Sequence, residues 1–181
     1  MPKNGKSTAS RLVISPGRVV GIDPGLNVTG YAVVEPHGSR TTVLEAGVIR
    51  AGKGKTMGDR LNRIYSGVLE VLEAFPPAAL ALEQVHSKPK FPKTSILMAH
   101  ARGVIVLAAE RRDVPVFGYS PTRVKKTLTG SGRAPKDQMQ RAIQLELGLE
   151  NLPEPHDVAD ACAIALCHAQ IDRARRMIAG L

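Results

Sequence analysis

The first clear pattern along the chain is a short apolar run, Arg18-Val19-Val20-Gly21-Ile22-Asp23, which ends on a carboxylate and reads as a buried strand. Pro24-Gly25-Leu26-Asn27 reads as a turn. Gly30 to Glu35 reads as a second strand, Pro36-His37-Gly38-Ser39 as another turn, and Thr42 to Ile49 as a third strand. Three strands with short connections predict an antiparallel meander. The period then changes. Met57, Leu61, Ile64, Tyr65, Val68, Leu69, Leu72 and Phe75 recur at spacings of three and four, which predicts an amphipathic helix stopped by Pro76-Pro77. Ala79-Leu80-Ala81-Leu82-Glu83 is a fourth apolar run ending on a carboxylate. A Lys/Pro-rich loop, Ser87 to Lys93, leads to a helix expected over Thr94 to Arg112. Val114-Pro115-Val116-Phe117 reads as a short strand, at an edge or a strand start because proline cannot donate to a ladder. Helices over Pro121 to Leu128, Lys136 to Leu147 and about His156 to Met177 complete the order βββαβαβααα. That order predicts a mixed α/β domain in which a meander feeds parallel crossover units. Residues 1–17 lack periodicity and read as a flexible basic tail, which leaves 18–178 as one domain.

Composition adds bounds. The 181 residues, 43% apolar and 23% charged, suffice for a core without disulfides or a structural metal. No apolar stretch reaches the length of a membrane span, and the N-terminus lacks the apolar core of a secretory signal. Cys162 and Cys167, five apart in one predicted helix, point to different faces; an unpaired state in a reducing cytoplasm is the simplest setting. Charge says more. The formal net charge is +9, and it is concentrated. Between His86 and Lys136 lie eleven Lys and Arg against two acids, Glu110 and Asp113, an excess equal to that of the whole chain. A basic stretch of this density favours a polyanionic partner, above all nucleic acid. Lys88, Lys90, Lys93, Arg123, Lys125, Lys126, Arg133 and Lys136 are the candidate phosphate-binding residues, with Phe91 among them.

Four carboxylates interrupt this basic background. Asp23 and Glu83 end apolar strands, and in open α/β sheets that edge is where sites form. Asp157 and Asp160 stand at i and i+3 in the first turn of the last helix and share a face. The residues around them are so apolar that the helix must pack on the sheet, which carries the acidic turn to the strand edge. Each acid alone has a plain explanation: a turn former, a strand-end surface acid, or helix N-terminal acids favoured by the dipole. Together they would repel one another and lose hydration. Two divalent cations would relieve this, and all-oxygen ligands suit Mg²⁺ or Mn²⁺ rather than Zn²⁺. A two-metal site stabilises the attacking and leaving oxygens of in-line phosphodiester hydrolysis, so an acidic notch in a basic protein points to a nuclease. Lys136 is a candidate to place charge on the scissile phosphate.

Five short motifs occur in order: Gly21-Ile22-Asp23-Pro24-Gly25, Thr29-Gly30-Tyr31, Leu82-Glu83-Gln84-Val85, Ala101-Arg102-Gly103 and Asp157-Val158-Ala159-Asp160-Ala161. They closely resemble the bacterial Holliday junction resolvases of the Ruv system, crossover junction endodeoxyribonucleases of the ribonuclease H-like superfamily. The resemblance spans about residues 18 to 170. It implies a five-stranded mixed sheet flanked by helices, and a homodimer that nicks opposing strands of a four-way junction in recombination and repair. It also implies two Mg²⁺ per subunit and work alongside a branch-migration complex. By position, Asp23, Glu83, Asp157 and Asp160 match the family's metal-binding catalytic acids, and Lys125 and Lys136 its functional lysines. The family often carries a junction-opening aromatic directly after Glu-Gln-Val; here that position is His86, so the wedge is either His86 or Phe91.

Three other readings compete. Gly21 to Gly25 with Thr29-Gly30 also looks like the first phosphate loop of actin-like ATPases, but those need two such domains. Gly52-Lys53-Gly54-Lys55-Thr56 lacks the upstream glycine of a Walker loop, because that position is Ile49. A structure-selective DNA-binding module without catalysis, or a nuclease acting on other branched DNA or RNA, would share the same charge pattern.

Overall fold

A five-stranded mixed sheet carries the molecule in the computed structural model, which describes residues 17–38, 40–52, 56–85 and 92–180, the side chain of Pro92 excepted. The elements are β1 (Val19–Asp23), β2 (Val28–His37), β3 (Arg40–Arg50), α1 (Met57–Ala74), β4 (Ala79–Glu83), α2 (Pro92–Glu110), β5 (Val116–Tyr119), α3 (Pro121–Thr129), α4 (Lys136–Leu147) and α5 (His156–Ala179). The strand order is β3-β2-β1-β4-β5. β1, β2 and β3 pair antiparallel as the expected meander, and β4 and β5 add parallel to β1. The predicted order of elements holds throughout. Apart from Gly17, the predicted N-terminal tail lies outside the described residues.

Alternation along the strands sorts residues by size onto the two faces. Val20, Ile22, Val33, Leu80 and Leu82 pack with α1 and α2 through Ile64, Val68, Leu72, Ile105 and Ala108. The opposite face offers Gly21, Gly30, Ala32 and Ala81, and α5 lies over it with Ala161, Ala163, Ala165 and Ala169 among its buried side chains. Small residues on both surfaces let helix and sheet approach closely. A Cβ added to Gly21 would collide with the Ala161 carbonyl and come within 2.7 Å of Ala165 Cβ.

Three strands differ from their expected limits by two residues at one end or both, β3 because it starts at Arg40 opposite the extended end of β2. β2 continues through Pro36 to His37, where the sequence suggests a turn. β1 pairs with β2 only from Val19 opposite Val34, so Pro36 lies past the end of β1 and no ladder bond is lost on that side. β5 starts at Val116, two residues late; Pro115 precedes it and contributes its carbonyl to Leu80 N–H at 2.9 Å. Both placements that the proline allowed are met, since Pro115 directly precedes the strand and β5 is an edge strand. Thr56, the last residue of the rejected Walker-like stretch, is the N-cap of α1. Its hydroxyl accepts from Asp59 N–H at 3.1 Å and donates to the Asp59 carboxylate at 2.8 Å. Cys162 and Cys167 are buried and free, as their spacing indicates.

Candidate active site

The parallel register matches Ile22 with Leu82, so the next residues, Asp23 and Glu83, stand side by side at the ends of neighbouring strands. Strands at that spacing lie about 4.8 Å apart. The chain after Asp23 turns under close control. The buried Thr29 hydroxyl donates to the Gly25 carbonyl at 2.8 Å, and Ala51 N–H donates to the Asn27 carbonyl at 3.0 Å. Asp23 pairs across β2 with Gly30, and Gly30 is where α5 begins its descent onto the sheet. A Cβ at Gly30 would collide with the Asp157 carbonyl and reach to 3.0 Å from Asp157 Cβ. Bare backbone at Gly30 thus lets the first turn of α5 sit against the strand pair that carries Asp23.

Asp160 lies one turn further along α5 and faces a cleft of ≈ 330 Å³. Glu83, Lys125, Lys136, His156 and Asp160 line it, over apolar walls that include Val124, Ile143 and Ile164. Lys136 is the first residue of α4, and its Nζ lies 3.4 Å and 3.5 Å from the two ring nitrogens of His156. α3 supplies Lys125, held by the Ser120 N-cap, whose Oγ accepts from Arg123 N–H at 3.2 Å. Five elements therefore converge: β1 and β4 with one acid each, α5 with two, and α3 and α4 with one lysine each.

Electrostatics show how closely the acids are gathered. The Asp23 carboxyl is pushed up to about 8 from its ordinary 3.8, first by burial and then by the charges of Glu83, Asp160 and Asp157. Asp160 is also raised, chiefly by burial and further by Asp157, while Lys136 and His156 pull it back. Asp23 thus feels the charges of the other three acids across the strand edge. Among the described residues, however, no three His, Cys, Asp or Glu side chains are positioned to hold one ion between them. The carboxylates share a field without forming a finished cradle, as uncompensated like charges should. Their donor set is nonetheless all oxygen and strongly anionic, which fits hard divalent cations.

The raised Asp23 carboxyl makes metal-free stability depend on pH. Between 3.8 and about 8 the folded chain holds a proton that the unfolded chain has lost. Its contribution is therefore complete below pH 4 and disappears as pH rises through about 8. In chelator, Asp23→Asn should be more stable than the parent by an amount that grows from pH 4 to pH 8. At pH 8 the gain should reach at least about 1 kcal/mol, or ~2–4 °C in melting temperature for a domain of this size. Melting curves at several pH values check this; a constant difference would contradict it.

Of the other sequence candidates, Lys93, Arg123, Lys126 and Arg133 are exposed and lie outside the cleft lining. His86, Lys88, Lys90 and Phe91 lie outside the described residues. Sequence reasoning left two features unremarked. One is the close docking of α5 on Gly21 and Gly30, for which the glycines and the alanine-rich helix were the available signal. The other is a buried hydrogen bond of 2.7 Å between the Tyr119 hydroxyl and His168 Nδ1, whose partners are 49 positions apart with no local pattern to pair them. A larger cleft of ≈ 520 Å³ between β3 and α1 mixes Glu45 and Glu70 with Arg50 and Arg63, away from the four acids.

Comparison with known proteins gives a consistent result. The family model described as crossover junction endodeoxyribonuclease RuvC matches residues 19–168. A RuvC of Rhodopirellula baltica is 53% identical over 149 residues, covering 82% of this chain and 84% of that protein. The solved structure of Thermus thermophilus RuvC superposes with a TM-score of 0.81 at 36% identity, covering 87% of this chain and 96% of that one. The same protein in complex with a Holliday junction substrate gives a TM-score of 0.80 at 34% identity, over 87% and 95% of the two chains.

Proposed function

Because this chain belongs to the RuvC family of crossover junction endodeoxyribonucleases, we propose that the acids at its strand edge are the centre that cuts the four-way junction. The chain is a Holliday junction resolvase with a ribonuclease H-like fold, acting in recombination and repair. Asp23, Glu83, Asp157 and Asp160 are the residues that would hold two Mg²⁺, or Mn²⁺ in their place. Such ions, when bound, supply Lewis acidity for in-line hydrolysis of a phosphodiester. The observation that carries this reading is the Asp23 carboxyl, whose proton is held up to about 8 by burial and by three neighbouring acids. A buried group so short of positive charge is stabilised by any cation that enters.

The remaining residues have work of their own. Lys136 and Lys125, which line the same cleft as Glu83 and Asp160, attract the phosphate into it and offset charge on its non-bridging oxygens. The imidazole of His156, against the Lys136 ammonium, holds it in the cleft lining. Val124, Ile143 and Ile164 keep water away from one side. Lys88, Lys90, Lys93, Arg123, Lys126 and Arg133 neutralise backbone phosphates around the junction, and His86 or Phe91 opens it. Purified protein incubated with a labelled four-way junction, a linear duplex and a hairpin, each with and without Mg²⁺, tests the reading. Mg²⁺-dependent nicking confined to the junction is expected. Selective binding without cutting would leave only a DNA-binding module.

A symmetric junction calls for two identical sites, and α2 offers a surface for a two-fold dimer. One face of α2 enters the core through Ala101, Ile105, Ala108 and Ala109, while Ile96 and Leu107 on the other are 57% and 50% exposed, and Leu97 on the flank is 38% exposed. Apolar side chains in such a row are costly in water unless a partner covers them. Ile96→Asp combined with Leu107→Asp should give a monomer in sedimentation and should abolish paired nicking of opposing strands. A dimer that persists would place the interface elsewhere. No helix among the described residues is long and apolar enough to cross a membrane. The free buried thiols suit a reducing cytoplasm, where the branch-migration complex of the Ruv system is the expected companion.

A further inference from the structure

Away from the cleft, α3 and α5 meet along a seam whose buried layer is polar. Tyr119, at the end of β5, donates to or accepts from His168 Nδ1 at 2.7 Å, and the Phe117 ring lies 4.6 Å from the same imidazole. Thr127 of α3 lies close enough to Cys167 of α5 to draw its thiol pKa down, against the burial that raises it. These interactions fix α3 against the middle of α5. Above them stand three cations. Arg123 and Lys126 share a face of α3 at i and i+3, and Arg175 follows His168 and Asp172 along one face of α5. All three are exposed. Among the described residues, none of the three forms an ion pair with a carboxylate. The nearby acid, Asp172, is engaged by Arg176 at 2.8 Å. Both Arg123 and Arg175 are close enough to the Tyr119 phenol to draw its pKa down, against the burial that raises it. Two arginines from different helices therefore flank one buried point, where Asp172 is the one acid that also acts and is itself paired with Arg176.

We propose that Arg123, Lys126 and Arg175 form a phosphate track for a duplex arm of the junction, beyond the cutting cleft. The proposal rests on the resolvase reading and extends it to the arm. The track is continuous with the site, because α3 carries Lys125 into the cleft and Arg123 onto the seam, with the exposed Lys126 one turn further along α3. Arg175 lies about four turns along α5 from Asp160, roughly 22 Å at the helical rise. That span is about 7 base pairs of duplex at ~3.4 Å each. Arg175 thus assigns a role to the C-terminal half of α5, which the cutting site does not use.

The test is junction binding by the full-length protein in Ca²⁺, read by fluorescence anisotropy across a salt series. Arg175→Gln should weaken binding several-fold and lower the slope of log affinity on log salt by about 0.9 for each phosphate that is no longer neutralised. Arg175→Lys keeps the charge and should keep most of the slope. A second junction carries neutral methylphosphonates about 7 base pairs from the crossover. Wild-type protein on that junction should behave like Arg175→Gln on the native one, and the variant should lose nothing more. The proposal is overturned if Arg175→Gln leaves the slope unchanged, if Arg175→Lys loses as much as the glutamine variant, or if the neutral phosphates weaken both proteins equally. A wild-type protein with no preference for the four-way junction over linear duplex would instead overturn the resolvase reading beneath it.

Discussion

Asp23→Asn should lower the rate of junction nicking in Mg²⁺ by about 10²- to 10³-fold, because a divalent-ion site supplies several kcal/mol to a phosphodiester transition state. Junction affinity should change by no more than a few-fold. The reason is local. Asp23 feels the other three acids, and asparagine keeps its shape while removing the charge that draws a cation between β1 and β4. The variant should also be the more stable protein in chelator at pH 8, since it no longer carries a buried carboxylate among like charges. Higher stability combined with lost activity is hard to obtain from a residue whose role is structural. Single-turnover nicking and equilibrium binding on the same junction separate the two effects. A variant that cuts at the parental rate would remove Asp23 from the site.

Gly30→Ala should be nearly as damaging, without touching an acid. Its methyl group would occupy the place of the Asp157 carbonyl, so the first turn of α5 must lift from the sheet. A displacement of an ångström at a catalytic group can cost about a hundredfold. Loss of activity on that scale is expected, together with weaker Mg²⁺ activation. Gly21→Ala offers a comparison. Its methyl meets Ala161 and Ala165 in the middle of α5, so it disturbs packing before chemistry. It should cost about 1–3 kcal/mol of stability by overpacking, or ~2–12 °C in melting temperature. Comparing the two variants at equal temperature below both transitions measures how far docking of α5 governs the acids. Equal loss of activity and stability in both would mean that Gly30 has no special bearing on the site.

Much of this arrangement is legible in the chain. Strands ending on Asp23 and Glu83 are visible because each is a continuous apolar run closed by one charge, a pattern with few alternatives. The change of spacing at Met57 marks the first helix, and Pro76-Pro77 marks its end. The charge contrast, cations concentrated between His86 and Lys136 with four acids outside that stretch, directs attention to phosphate chemistry. The distances between elements are not legible. Periodicity says that α5 must pack on the sheet, but only the three-dimensional arrangement reveals that Gly21, Gly30, Ala32 and Ala81 form one surface of small residues beneath it. Those four come from three strands, and their alignment depends on register, which no local signal fixes. The same holds for Tyr119 and His168, 49 positions apart, which only the packing of α5 against β5 brings together. Pro36 shows the reverse case. Its local preference for a turn is real, yet it sits within β2 because β1 ends short of it.

Diffraction from crystals soaked in Mn²⁺, recorded near the manganese absorption edge, addresses the central claim most directly. The account expects anomalous peaks at the strand edge, with carboxylate oxygens of Asp23 and at least one of Glu83, Asp157 and Asp160 drawn to roughly 2–2.5 Å from the ion. The peak at Asp23 should be absent or much weakened in Asp23→Asn crystals. Strand edges that stay free of anomalous density at millimolar Mn²⁺, or a peak that is unchanged in the variant, would contradict the assignment of these four acids to metal binding.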